Sequence, residues 1–219
     1  MGFVPSDRHV LKCETSIANA VRKLSAAVLV CHAKAAAAHL VPKAFDEEGC
    51  ETTAMGKYTT AAGRVAALCP PCLDTAAVGD ATRTRMDHLM SGLLFCDSAS
   101  GVLLGDDDDL GWASATTGVL KCEAGAARGV GKAQRAITRC HMKYAAARLN
   151  GKLFDEEDCE GTARAKLDNA VAHLPKGCPT CLAGLLTTLP ALTEDDVDAA
   201  NGSIYCASPS GAFVGPEPS

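Results

Sequence analysis

A chain of 219 residues with a net charge of −5, its basic and acidic side chains interleaved, has no basic stripe to neutralise phosphates, so nucleic acid is excluded as an expected partner. Twelve cysteines in a chain of this size read as a disulfide framework, which implies an oxidising compartment: secreted, periplasmic or at the cell surface. Aromatic residues make up only 4%, so the core must come from close alanine-rich helix packing and covalent ties, and no apolar run is long enough to span a bilayer.

The opening Met1-Gly2-Phe3-Val4-Pro5-Ser6 has neither a basic nor an apolar segment of signal-peptide type, and it reads as the start of a processed or trimmed form. Ser6 is the expected N-cap of a first helix, in which Val10, Cys13, Ile17, Ala20, Leu24, Ala27 and Cys31 recur at steps of three and four. The helix must stop near Val41, because Pro42 restricts the residue before it. Phe45-Asp46-Glu47-Glu48 opens a second helix, with Asp46 as cap and two glutamates where the helix dipole favours negative charge. That helix is expected to run through Leu68 to Pro70-Pro71. Short helices follow around 74–78 and 83–90.

The stretch 12–73 is written twice. A shift of 109 lays Lys121-Cys122-Glu123 on Lys12-Cys13-Glu14, Cys140-His141 on Cys31-His32, Phe154-Asp155-Glu156-Glu157 on Phe45-Asp46-Glu47-Glu48, and Cys159-Glu160 on Cys50-Glu51. Cys178-Pro179-Thr180-Cys181 likewise matches Cys69-Pro70-Pro71-Cys72, and Cys206 matches Cys96 after one further residue. The second copy turns at Asn150-Gly151 where the first has Pro42, and it carries short helices around 185–189 and 197–200.

The expected fold is therefore all-α, with two tandem disulfide-stapled antiparallel helical hairpins, each backed by short extra helices. The units are 1–100 and 119–210, separated by a linker, 101–118, that holds Asp106-Asp107-Asp108-Asp109, and followed by a loose tail, 211–219.

Facing pairs in an antiparallel hairpin share one midpoint in sequence. Cys31 with Cys50 centres at 40.5 and Cys13 with Cys69 at 41, while Cys140 with Cys159 centres at 149.5 and Cys122 with Cys178 at 150. These are the expected nested bridges. Cys72–Cys96 and Cys181–Cys206 are then left over, and exchanging Cys69 with Cys72 is the main alternative.

With its cysteines placed, the pattern resembles exported alanine- and cysteine-rich helical repeat proteins of environmental bacteria, which share the Lys-Cys start, the widely spaced cysteines and the Cys-Pro-x-Cys-like close. The resemblance covers both copies and implies no activity. In form alone the chain also resembles the coiled-coil-helix-coiled-coil-helix proteins, whose spacings are much shorter.

The chemistry is sparse. No catalytic constellation of nucleophile, base and acid is present, so no enzyme is expected. Cys69-Pro70-Pro71-Cys72 and Cys178-Pro179-Thr180-Cys181 invite a thiol-oxidoreductase reading, but they close a helix, where the dipole raises a thiol's pKa, and a structural role is favoured. The same cysteines supply half a zinc site, to which Cys13 or Cys96 would add. Cys31-His32 and Cys140-His141 allow a haem or transition-metal carrier, against the plainer reading of a partly exposed histidine near a hairpin tip. Asp46, Glu47, Glu48 and Glu51 suit a hard cation such as calcium, though a helix start explains them too. His39, His88 and His173 do not recur between copies. The leading functional expectation is a non-catalytic exported structural or binding protein, whose duplicated units serve self-association or a protein partner.

Overall fold

The computed structural model describes residues 2–41, 43–105, 110–206 and 213–214. Among them the fold is all-helical, apart from one two-residue strand pair. Helix α1 (Arg8–Leu40) packs against α2 (Glu47–Gly63), and the chain continues through α3 (Thr75–Arg85), a π turn (Met86–Met90) and α4 (Ser91–Leu94). The second half repeats the order with α5 (Thr117–Leu149), α6 (Glu156–Ala172), α7 (Thr180–Leu185) and α8 (Leu189–Ile204). Strand β1 (Gly2–Phe3) pairs antiparallel with β2 (Phe213–Val214), so the segment expected as a loose tail is held to the N-terminus at those two residues.

Capping differs from expectation at one end. Asp7, not Ser6, caps α1: its carboxylate accepts from the backbone N–H groups of His9 (2.7 Å) and Val10 (3.0 Å), and an ionised acceptor is favoured at the positive end of the dipole. Asp46 and Asp155 cap α2 and α6 by accepting from the N–H groups of Gly49 (2.8 Å) and Asp158 (2.9 Å). Helix α2 ends at Gly63, short of the proline pair, and a 3-10 turn at Ala66–Leu68 leads to Cys69. Pro42, expected to stop α1, lies outside the described residues, whereas in the second copy Gly151 makes the turn at φ +66°.

The two copies are not strung side by side. The long helices α1 and α5, each 33 residues or about 50 Å, pack along one another at the centre, with α2 and α6 against them. Ile17, Leu24 and Val28 of α1 and Ala126, Val130 and Ala133 of α5 join one continuous core. Small residues permit the approach: a Cβ on Gly129 would come within 2.9 Å of Leu167 Cδ1, so a larger residue where α5 crosses α6 would make that side chain shift.

All twelve cysteines are bridged. Cys13–Cys69, Cys31–Cys50, Cys122–Cys178 and Cys140–Cys159 staple the hairpins at the shared midpoints. The remaining four do not pair as Cys72–Cys96 and Cys181–Cys206. Cys72 joins Cys206 and Cys96 joins Cys181, so each copy gives its last two cysteines to the other. The exchange is reciprocal, as in an isologous dimer interface, here made within one chain.

The stretch expected as a linker also packs on the body over its described part. Leu103 bridges Trp112, the backbone N–H of Trp112 donates to the Phe95 carbonyl (2.7 Å), and Leu104 and Ser114 are buried. Asp106, Asp107, Asp108 and Asp109 lie outside the described residues, as do 207–212 and 215–219.

Candidate functional site: two buried histidine–carboxylate centres

The Cys31–Cys50 bridge fixes the register of α1 on α2, and each cysteine is followed by the residue that matters. His32 and Glu51, the next residues along, are brought face to face inside the protein. His32 is fully buried, contrary to the partly exposed position expected near a hairpin tip. Its Nε2 stands 2.9 Å from Glu51 Oε1, 3.5 Å from Glu47 Oε1 and 3.6 Å from Asp87 Oδ1. Glu47 lies one turn before Glu51 on the same helix face, and the π turn supplies Asp87. Phe95 covers the imidazole edge-on, with ring centroids 6.3 Å apart.

The second copy builds the same centre. Cys140–Cys159 brings His141, also fully buried, to 2.5 Å from Glu160 Oε1, with Asp198 Oδ1 at 3.0 Å and Glu156 in the same cluster. Burial pulls the His141 pKa down, but hydrogen bonds to Asp198 and Glu160 and the charges of Glu160 and Glu156 outweigh it, so the imidazole is pushed up to about 9. Glu160 is raised as well: its burial, with Asp198 and Glu157 adding to it, outweighs the pull of His141. Three carboxylates gather around one imidazole.

This geometry suits a cation better than a proton. One imidazole N–H can point at one oxygen, yet in the first centre Nε2 faces three. Ligand atoms held about 2.1 Å from one ion stand about 3.0 Å apart at octahedral and about 3.4 Å apart at tetrahedral angles, close to the separations here. His32, Glu51 and Asp87 in one half, and His141, Glu156 and Glu160 in the other, each present donor atoms within 4.8 Å of one another. A further polar group lies nearby: the fully buried Tyr205 hydroxyl, which feels the charges of Glu14 and Glu156, has no hydrogen-bond partner among the described residues.

Several expected roles change. Cys31 and Cys140 are in disulfides, so neither can form a thioether to haem or a thiolate bond to metal. Neither Cys-Pro-x-Cys motif closes on itself: Cys69 and Cys72 go to Cys13 and Cys206, and Cys178 and Cys181 go to Cys122 and Cys96, which removes both the dithiol and the zinc-thiolate readings. The acidic cluster divides. Asp46 is a cap, whereas Glu47 and Glu51 turn inward.

Asp87, Asp198 and Arg83 were not anticipated. The 109-residue shift takes Arg83 to Leu192 and Asp87 to Asp196, an aspartate that pairs with Arg85 instead of the imidazole, so the repeat points away from Asp198 and to no second arginine. Asp87 lies nine positions before Cys96 and Asp198 eight before Cys206, and the π turn, one residue wider than an α turn, takes up the difference. Compared with protein-family models, curated proteins and solved structures, the chain matches none.

Proposed function

We propose that this is a non-catalytic metal-binding protein of an oxidising compartment, holding one divalent transition-metal ion in each half. The observation that carries the reading is the double occurrence of a buried histidine with two glutamates one helical turn apart and an aspartate from a third element. Nitrogen and carboxylate donors without thiolate suit zinc, manganese or iron(II). Such donors also suit a protein whose every cysteine is engaged in a bridge. The six bridges and the absence, among the described residues, of any helix able to cross a membrane fit an extracellular or periplasmic setting.

The expectation of a protein partner or self-association rested on the duplication. Because the two copies pack on each other through α1 and α5, the duplication is used within the chain, and the internal centres are the better-supported reading.

Equilibrium dialysis of the oxidised protein against Zn2+ and then Mn2+, with metal analysis, tests this. One ion per centre is expected, and the His32→Ala/His141→Ala variant should lose both while its far-ultraviolet circular dichroism stays helical. A metal-free wild type, or a folded double variant that still holds its ions, would overturn the proposal.

A further inference from the structure

The two centres share their ligands but not their surroundings. In the first, the guanidinium of Arg83 lies across the outer side of the carboxylates. Its Nε stands 3.1 Å from Glu51 Oε2 and 3.3 Å from Asp87 Oδ2, the oxygens that point away from His32, and its Nη2 stands 3.0 Å from Glu48 Oε2. Glu51 and Asp87 each therefore give one oxygen to the centre and the other to the guanidinium. Beside this centre lies a cleft of about 330 Å³ between α1, the start of α2 and the segment around Leu103. Glu47 and Glu48 form part of its wall, and Arg83 pins Glu48.

Among the described residues, Glu160 and Asp198 of the second centre meet no such clasp. There His141 is the one cation on Glu160 and Asp198 among the described residues, and Arg164, one turn after Glu160 on α6, pairs with Glu194 instead. Asp198 is 18% exposed, against 4% for Asp87. Water and a competing chelator reach the second centre through one of its own ligands, whereas in the first they meet an ion-paired carboxylate.

We infer that the two centres exchange metal at different rates: the second is the labile site, and the first is a retention site that Arg83, a positioning residue, keeps closed. The inference rests on the metal-binding reading. An ion leaves a multidentate site by losing its ligands one at a time, and each carboxylate must swing outward to let go. Arg83 holds two of those carboxylates in place, and outer-shell partners of this kind change metal affinity by about 10–100-fold.

The test loads the full oxidised protein with Zn2+, removes excess ion and mixes it rapidly with a zinc-sensitive chelating dye. Two phases of equal amplitude are expected, separated by about tenfold or more in rate. His141→Ala should remove the fast phase alone, and Arg83→Gln should speed the slow phase about tenfold without touching the fast one. Arg83→Lys, which keeps the charge and loses the fork, should fall between and guards against a misfolded glutamine variant. Release in a single phase, loss of the slow phase in His141→Ala, or a slow phase indifferent to both Arg83 variants overturns the inference while leaving the metal-binding reading standing. Absence of bound zinc in the wild type overturns both.

Discussion

The two halves of the molecule carry one plan with two finishes. In the first, a π turn delivers Asp87 and an arginine fork closes over it. In the second, the regular helix α8 delivers a partly exposed Asp198. The ligands set by the duplicated core, His32 with Glu47 and Glu51 and His141 with Glu156 and Glu160, coincide under the 109-residue shift, because disulfides lock their helices in register. The aspartates come from the segment where the copies have diverged. A stapled hairpin thus fixes part of a site, and the looser helices behind it set how open the site is.

The sharpest way to break this comparison is to ask whether the halves stand alone. Opening the crossed bridge with Cys96→Ser/Cys181→Ser releases a tie spanning 85 residues, against 19 for Cys140–Cys159. The chain-entropy model values such closures at about 4.5 and about 3 kcal/mol, each reduced here because other bridges already shorten the loops. Guanidinium unfolding without reductant should show the larger loss for the crossed pair. If the hairpin pair costs more, each copy is stable by itself and the halves are only loosely joined.

A second joint is polar. Arg85, from the first copy, pairs with Asp196 of α8 at 2.9 Å, and Gln134 of α5 donates to the same carboxylate at 3.1 Å. Burial raises the Asp196 pKa against the opposing pull of Arg85 and Gln134. Breaking a buried pair from one side typically costs 3–5 kcal/mol, and because Arg85 is about a quarter exposed, Arg85→Ala is expected to cost about 2 kcal/mol in the same assay. An Arg85→Ala/Asp196→Asn double variant should recover part of that loss, since no charge is then left buried without its partner. No recovery would mean that the two residues do not act as a pair.

How much of this was legible in the sequence follows from which constraints are local. The hairpin staples could be read because antiparallel helices force facing cysteines to share a midpoint. Crossed pairing leaves no such mark: Cys96 and Cys206 occupy equivalent positions, so Cys72 meets the same pattern in either copy. The burial of His32 was hidden by composition. With alanine on every side of α1, as at Ala35, Ala36, Ala37 and Ala38, apolar periodicity does not say which face turns inward. The legible signal was the neighbour of each cysteine, since Cys31-His32 and Cys50-Glu51 both recur, and a bridge between two cysteines also brings the next residues together. Arg83 had no counterpart at the repeat spacing, and that of Asp87 is Asp196, which turns to Arg85, so the third carboxylate of each centre could be found only in three dimensions.

An effect of similar size concerns the repeated Lys-Cys-Glu start, where both glutamates are fully buried. Glu123 accepts a hydrogen bond from the Ser114 hydroxyl at 2.5 Å, whereas the position equivalent to Ser114 in the first copy is Pro5, which has no hydroxyl to give. Burial pushes the Glu123 carboxyl up to about 7, with the charge of Asp97 adding to it, although Ser114 and a backbone hydrogen bond at Asp97 pull the other way. A folded-state pKa above the unfolded one means that the native protein binds the proton more tightly. Its stabilising contribution is therefore complete below about pH 4.5 and is lost as pH rises through about 7. Relaxation around the site should hold the loss to roughly 2 kcal/mol. Glu123→Gln keeps the shape and removes the proton, so its stability between pH 5 and pH 8 should vary less than the wild type's by about that amount. Denaturant midpoints measured across that range decide it: parallel pH profiles for the two proteins would mean that Glu123 is ionised in the fold and that its burial is offset by hydrogen bonding.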